Sequence, residues 1–299
     1  MDDIPYLARG VSLLGTDSSV LVSSSKYLNS APLRDWIAKI ALRRNGPDVP
    51  PASEMYELLP ILNALRDFDH IDHMITQERK VNPRFDAWFA EGFTSNYTIE
   101  DLKTCPPGTV GGIYYQTATQ GNYEIQIVPN YQPKTQWDFY SLRSGQTHDY
   151  EHILTGGGFN YMGELIPYWF RLATIHTHIR NKELAGEMSV LSILGTMRYV
   201  IRTMLHYPQV WECALECIQQ GITVGRTSDP FWMAKMEDVW HVPLAEARDR
   251  LGVRGAVDLD TQKEGDFWGG IAGALGRIGG SPRRDRGDGR WRPCGRIGL

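Results

Sequence analysis

Between residues 148 and 164 the chain reads His148-Asp149-Tyr150-Glu151-His152, then Thr155-Gly156-Gly157-Gly158, then Glu164, a spacing of H-D-x-x-H-x(11)-E. Few folds accommodate that run. On a helix, residues four apart share a face, so His148 and His152 project together. The glycines can end the helix, because glycine accepts the left-handed backbone needed there. Glu164 then falls near the start of a second helix, close enough to fold back as a third ligand. Two imidazoles and a carboxylate make an open-sided site for a borderline divalent metal, suited to chemistry rather than to stapling. Asp149 can serve as a fourth ligand, as a base, or as acceptor of an imidazole N–H. A bare HxxxH pair also occurs on solvated helix ends, with Glu151 paired locally and the histidines idle; the glycine stop and Glu164 set this one apart. The metalloprotease motif does not fit, since it needs a glutamate directly after the first histidine and Asp149 is one methylene shorter.

The rest of the chain has helical periodicity. Pro32 opens an amphipathic stripe of Leu33, Trp36, Ile37, Ile40 and Ala41. Leu58, Ile61, Leu62 and Leu65 continue the period, with Pro60 expected to kink or restart the segment. Residues 46–51 read as a proline-containing linker. Phe85, Trp88 and Phe89 suggest a short helix, and another is opened by Pro107-Gly108-Thr109. Residues 121–137 are irregular, and 123–128 are the one candidate strand. The expected fold is all-α, a single helical domain with the metal site buried at the motif. With 42% hydrophobic residues, the chain can bury one large core or two small ones. A net charge of −4 leaves no nucleic-acid footprint. No signal peptide or membrane span stands out, because the longest apolar stretch carries Arg198 and Arg202. The four cysteines form no CxxC pair, and Cys213 and Cys217 read as core-facing thiols. The Gly/Arg-rich residues 269–299 read as disordered.

The helix that follows Glu164 places Met162, Leu165, Ile166, Trp169, Ala173 and His176 on one side. Glu164, Tyr168, Arg171, Ile175 and His178 lie opposite, on a face that either lines a cavity or meets solvent. Arg198 and Arg202, one turn apart, read from spacing alone as a surface pair; together they could instead hold a carboxylate or phosphate. With Tyr168 they are the substrate-binding candidates. Asp69-His70-Ile71-Asp72-His73 has ligand-like spacing but no third anchor, and reads as a solvated face. His206 and His241 stand alone and read as structural.

The segment from His148 to Glu164 resembles the signature of the coenzyme Q (ubiquinone) biosynthesis protein 4 family. Pro106-Pro107-Gly108-Thr109-Val110-Gly111, followed by Tyr114-Tyr115, is similar to its P-x-G-T-x-G element. Gly221, then Trp240, Pro243-Leu244-Ala245-Glu246-Ala247-Arg248 and Leu251-Gly252-Val253, resemble its C-terminal ending. The resemblance covers about residues 50 to 253. It implies an all-helical fold with a divalent metal at the motif, zinc being the expected ion and iron the alternative, held by His148, Asp149, His152 and Glu164. It also implies a part in ubiquinone assembly, on a hydroxybenzoate carrying a polyprenyl tail. The chemistry would be (oxidative) decarboxylation, with Asp149 as the catalytic group; the alternative is a scaffold that holds prenylated intermediates for neighbouring enzymes. Expected partners are the prenylated precursor, other enzymes of the pathway and a second copy of the chain in a homodimer. The expected location is cytoplasmic, peripheral to the inner (cytoplasmic) membrane. Residues 1–30 form an N-terminal extension, 31–255 the metal- and lipid-binding domain, and 256–299 a tail.

Overall fold

The computed structural model describes residues 23–42, 53–120 and 130–261. The candidate strand at 123–128, the linker at 46–51 and residues 269–299 lie outside them. The described residues are helical, with ten α-helices, four short 3-10 turns and no strand; an antiparallel bridge joins Thr109 to Pro243. The all-α expectation holds.

α1 (Ala31–Leu42) and α2 (Ser53–Asn63) pack on the long helix α8 (Lys182–His206). Leu33, Trp36 and Ile40, the stripe read from the sequence, are buried there against Leu58, Leu62 and Leu194. Each such side chain contributes about 1.5–3 kcal/mol on leaving water. α2 runs through Pro60 without a break. α3 (Phe68–Val81) starts at Asp67, whose carboxylate accepts the His70 N–H. α4 (Pro83–Glu91) has proline in its first turn and a left-handed Gly92 at its end. α5 (Val110–Gln120) follows the Gly108 turn, as expected.

α6 (Gln136–Thr155) is the central helix. A capping box opens it: Thr135 Oγ1 accepts the Asp138 N–H, and Asp138 accepts the Thr135 N–H. It is buried on nearly every face, including the polar Arg143, Gln146, Thr147, Glu151 and His152. Buried polar groups require partners. Arg143 donates to Gln146 Oε1 and to the Ala234 carbonyl, each at 2.9 Å, and Gln146 Nε2 donates to the Ser95 carbonyl at 2.8 Å. α7 (Leu165–His178) is wedged between α8 and α9 (Trp211–Thr227), its most extensive neighbour, and also touches α6. Both of its flanks are therefore covered. α10 (Leu244–Arg250) packs on α6, and Arg248 Nη2 donates to the Ile153 carbonyl at 3.1 Å.

Four sequence readings change or sharpen. Arg198 and Arg202 are buried, at 1% and 3% exposure, rather than forming a surface pair. Arg202 Nε donates to the Ile40 carbonyl at 3.0 Å, and His206 Nε2 lies 2.9 Å from the Ala41 carbonyl. These donors satisfy the end of α1, where carbonyls lack helical partners and the dipole favours cations. Arg171 faces neither solvent nor a void but a buried carboxylate, as described below. Residues on both sides of 31–255 also pack: Tyr27 bonds Glu187, Leu259 joins the cluster around Cys213 and Cys217, and Thr261 is buried. Among the described residues one helix, α8, is long and apolar enough by composition to cross a membrane, with half of its most apolar window buried.

Candidate metal centre

α6 presents His148 and His152 on one face, and a left-handed Gly156, φ 82°, ends the helix four residues later. The chain then turns back on itself. A Cβ on Gly163 would lie 1.9 Å from the Gly158 carbonyl oxygen, so glycine is required for this crossing. That closure sets Glu164, which opens α7, against the two histidines. His148 Nε2 lies 3.4 Å from Glu164 Oε2, and His152 Nε2 lies 3.5 Å from Glu164 Oε1. One ligand atom from each of the three falls within 4.8 Å of the others. The second cluster does not form such a group among the described residues: His70 is exposed beside Glu183, and Asp72 accepts the Trp137 N–H at the start of α6.

The donor set fits a metal ion. His152 Nδ1 lies 3.1 Å from the Gly158 carbonyl; donation there leaves the Nε2 lone pair directed at Glu164. The two His–Glu spacings run to the two different carboxylate oxygens, and the three side chains converge on one region where a single ion could take a ligand atom from each. Electrostatics favour a charged centre. Burial pulls the His148 imidazole down, but its hydrogen bond to Glu164 and the nearby charges of Glu164, Asp149 and Glu151 outweigh it, pushing it up to about 9. Burial raises the Glu164 carboxyl, yet His152 and His148 hold it well below the usual carboxylate range.

Asp149 stands outside this group of three. Its carboxylate accepts the Tyr114 hydroxyl at 2.6 Å, which ties α6 to α5 and to the Pro-Gly-Thr turn before it. On the other side, Tyr168 has its ring 5.9 Å from that of His148 and 5.8 Å from that of Tyr199. Arg198 lies over the Tyr199 ring at 4.4 Å. Of the three substrate-contact candidates, Tyr168 is beside the ligands and Arg198 lies over the Tyr199 ring that Tyr168 also neighbours, while Arg202 reaches to α1. Next to His152 a cleft of about 710 Å³ opens, with Ile113, Ile153, Phe159, Leu244 and Leu259 among its lining residues. Phe159 stacks on the His152 ring, centroids 4.8 Å apart.

The profile of the coenzyme Q (ubiquinone) biosynthesis protein Coq4 family matches residues 93–256, more than half of the chain and all of the site. The chain belongs to the Coq4 family. That membership places it in ubiquinone biosynthesis. The fold of this Coq4 member is similar to the crystal structure of a Nostoc punctiforme protein named for ubiquinone biosynthesis, with a TM-score of 0.54 and 18% identity over 74% of this chain and 94% of the other. No curated protein matches it.

Sequence reasoning passed over Gly163, Phe159, the contact of Tyr114 with Asp149 and the partnership of Glu151 with Arg171. A signal for the last was present in Arg171, a lone charge among the apolar neighbours Phe170, Leu172 and Ala173 on the helix after the glycine turn.

Proposed function

We propose that this Coq4 protein removes the ring carboxylate of a polyprenylated hydroxybenzoate, with hydroxylation of the same carbon where dioxygen is the oxidant. The observation that carries this is the convergence of His148, His152 and Glu164 beside a cleft of mixed, partly apolar lining. His148, His152 and Glu164 would hold a divalent ion, zinc by preference and iron as alternative. A bound ion would supply Lewis acidity to the carboxylate or, as iron, access to oxygen chemistry. Ile113, Ile153, Phe159, Leu244 and Leu259 would offer the apolar part of the cleft to the prenyl chain next to His152. Arg198, over the Tyr199 ring that Tyr168 also neighbours, is the candidate to meet the carboxylate. Asp149, which accepts the Tyr114 hydroxyl, would take or return the proton at the ring. Peripheral attachment to the cytoplasmic face of the inner membrane, assembly with other enzymes of the pathway and a homodimer accompany this reading, since the substrate dissolves in the bilayer.

Elemental analysis beside a His148→Ala/His152→Ala variant tests the centre, with near-stoichiometric zinc or iron expected only in the unsubstituted protein. Asp149→Asn then separates enzyme from scaffold. Loss of decarboxylation with lipid uptake retained supports the enzyme; undiminished quinone formation overturns it in favour of a scaffold.

A further inference from the structure

Beneath the candidate ligands lies a second contact between the same two helices. Glu151 is 0% exposed and Arg171 6%. Arg171 Nε is 2.7 Å from both Glu151 oxygens, and Nη2 is 2.5 Å from Oε1. The same guanidinium donates to the Ser144 carbonyl at 2.9 Å, to Thr147 Oγ1 at 2.8 Å and to Ser144 Oγ. Thr147 Oγ1 in turn donates to Glu151 Oε1 at 3.2 Å. One side chain of α7 thus grips Ser144, Thr147 and Glu151, a stripe covering two turns of α6. Arg171 lies two turns beyond Glu164 on the same face of α7, and the stripe it grips adjoins the face bearing His148 and His152.

From this geometry we infer that the Arg171–Glu151 clamp is a positioning device for the metal centre. The ligands come from two helices joined by a glycine turn, and a turn of that kind sets a crossing but not a fixed separation. The clamp sets the separation and the rotation of α7 about α6, so Glu164 Oε1 and Oε2 stay about equally far from the two Nε2 atoms. A planar fork bonded along two turns resists rotation in a way that apolar contacts do not. The inference rests on the metal reading of the site.

The test uses the full chain, with cobalt(II) as probe. In Glu151→Leu/Arg171→Met an apolar pair of similar bulk replaces the ion pair, an exchange that buried sites generally tolerate. Arg171→Lys keeps the charge but loses the fork, and covers the case in which the double variant does not fold. The expected result is a fall in cobalt affinity of about 10–100-fold, with a changed ligand-field spectrum, while the circular dichroism and thermal midpoint of the metal-free protein stay close to the parent's. Unchanged affinity and spectrum in a folded variant would overturn the clamp and leave the metal centre standing. Failure of the unsubstituted chain to bind cobalt, zinc or iron would remove the centre itself and the clamp's role with it.

Discussion

Gly156 and Gly108 share a left-handed backbone, at φ 82° and 79°, in contrasting surroundings. A Cβ on Gly108 meets nothing within 4 Å; on Gly156 it would lie 2.2 Å from the Val257 carbonyl oxygen and 2.8 Å from its carbon. Gly108→Ala therefore reports the backbone cost alone, about 1–2 kcal/mol. Gly156→Ala carries that cost and must also push back a backbone segment, about 1–3 kcal/mol more. Mid-range values correspond to a fall in thermal midpoint of about 3–6 °C for the first and about 7–14 °C for the second. Circular dichroism melts, with urea titrations to check that the slope is conserved, measure both. A second consequence separates them further. The Gly158 carbonyl that faces His152 Nδ1 lies two residues past Gly156, so Gly156→Ala weakens metal uptake as well and Gly108→Ala does not. Equal losses of stability in the two variants, within about 0.5 kcal/mol, would refute the steric account of how this turn is built.

Phe170 is fully buried and stacks on Phe231 with centroids 4.4 Å apart, so Phe170→Ala should cost about 3–5 kcal/mol in urea denaturation. Tyr114→Phe removes the 2.6 Å donation to Asp149; it should cost about 1–2 kcal/mol and lower turnover, and unchanged quinone formation would dissociate Asp149 from the chemistry. Burial raises the Asp72 carboxyl above its ordinary value, reinforced by Asp138 and Asp69 and opposed by the Trp137 N–H. A carboxyl whose folded value is raised binds its proton more tightly in the folded state, so stability falls as pH rises from the ordinary carboxylate range through the folded value. Asp72→Asn should therefore gain on the parent as pH rises from the ordinary carboxylate range through the folded value; a parallel pH profile for the two proteins would contradict this.

What the sequence determined by itself is local. The α1 stripe, the Gly108 turn before α5, the shared face of His148 and His152 and the stop at Gly156 all depend on residues within about a turn of one another. Periodicity and the steric freedom of glycine act at that range. The return of Glu164 was legible too, because a short turn leaves the second helix few directions to take. Tertiary structure decided the rest. Arg171 and Glu151 meet 20 residues apart in the chain, Tyr114 and Asp149 35 apart, and Arg202 and the Ile40 carbonyl 162 apart. A charge on an otherwise apolar helix looks the same in sequence whether it ends in solvent or in a core. Burying it is tolerable only where another element brings a partner within hydrogen-bond reach. Which partner arrives depends on how the helices dock, and that is a property of the whole packed bundle rather than of any one segment.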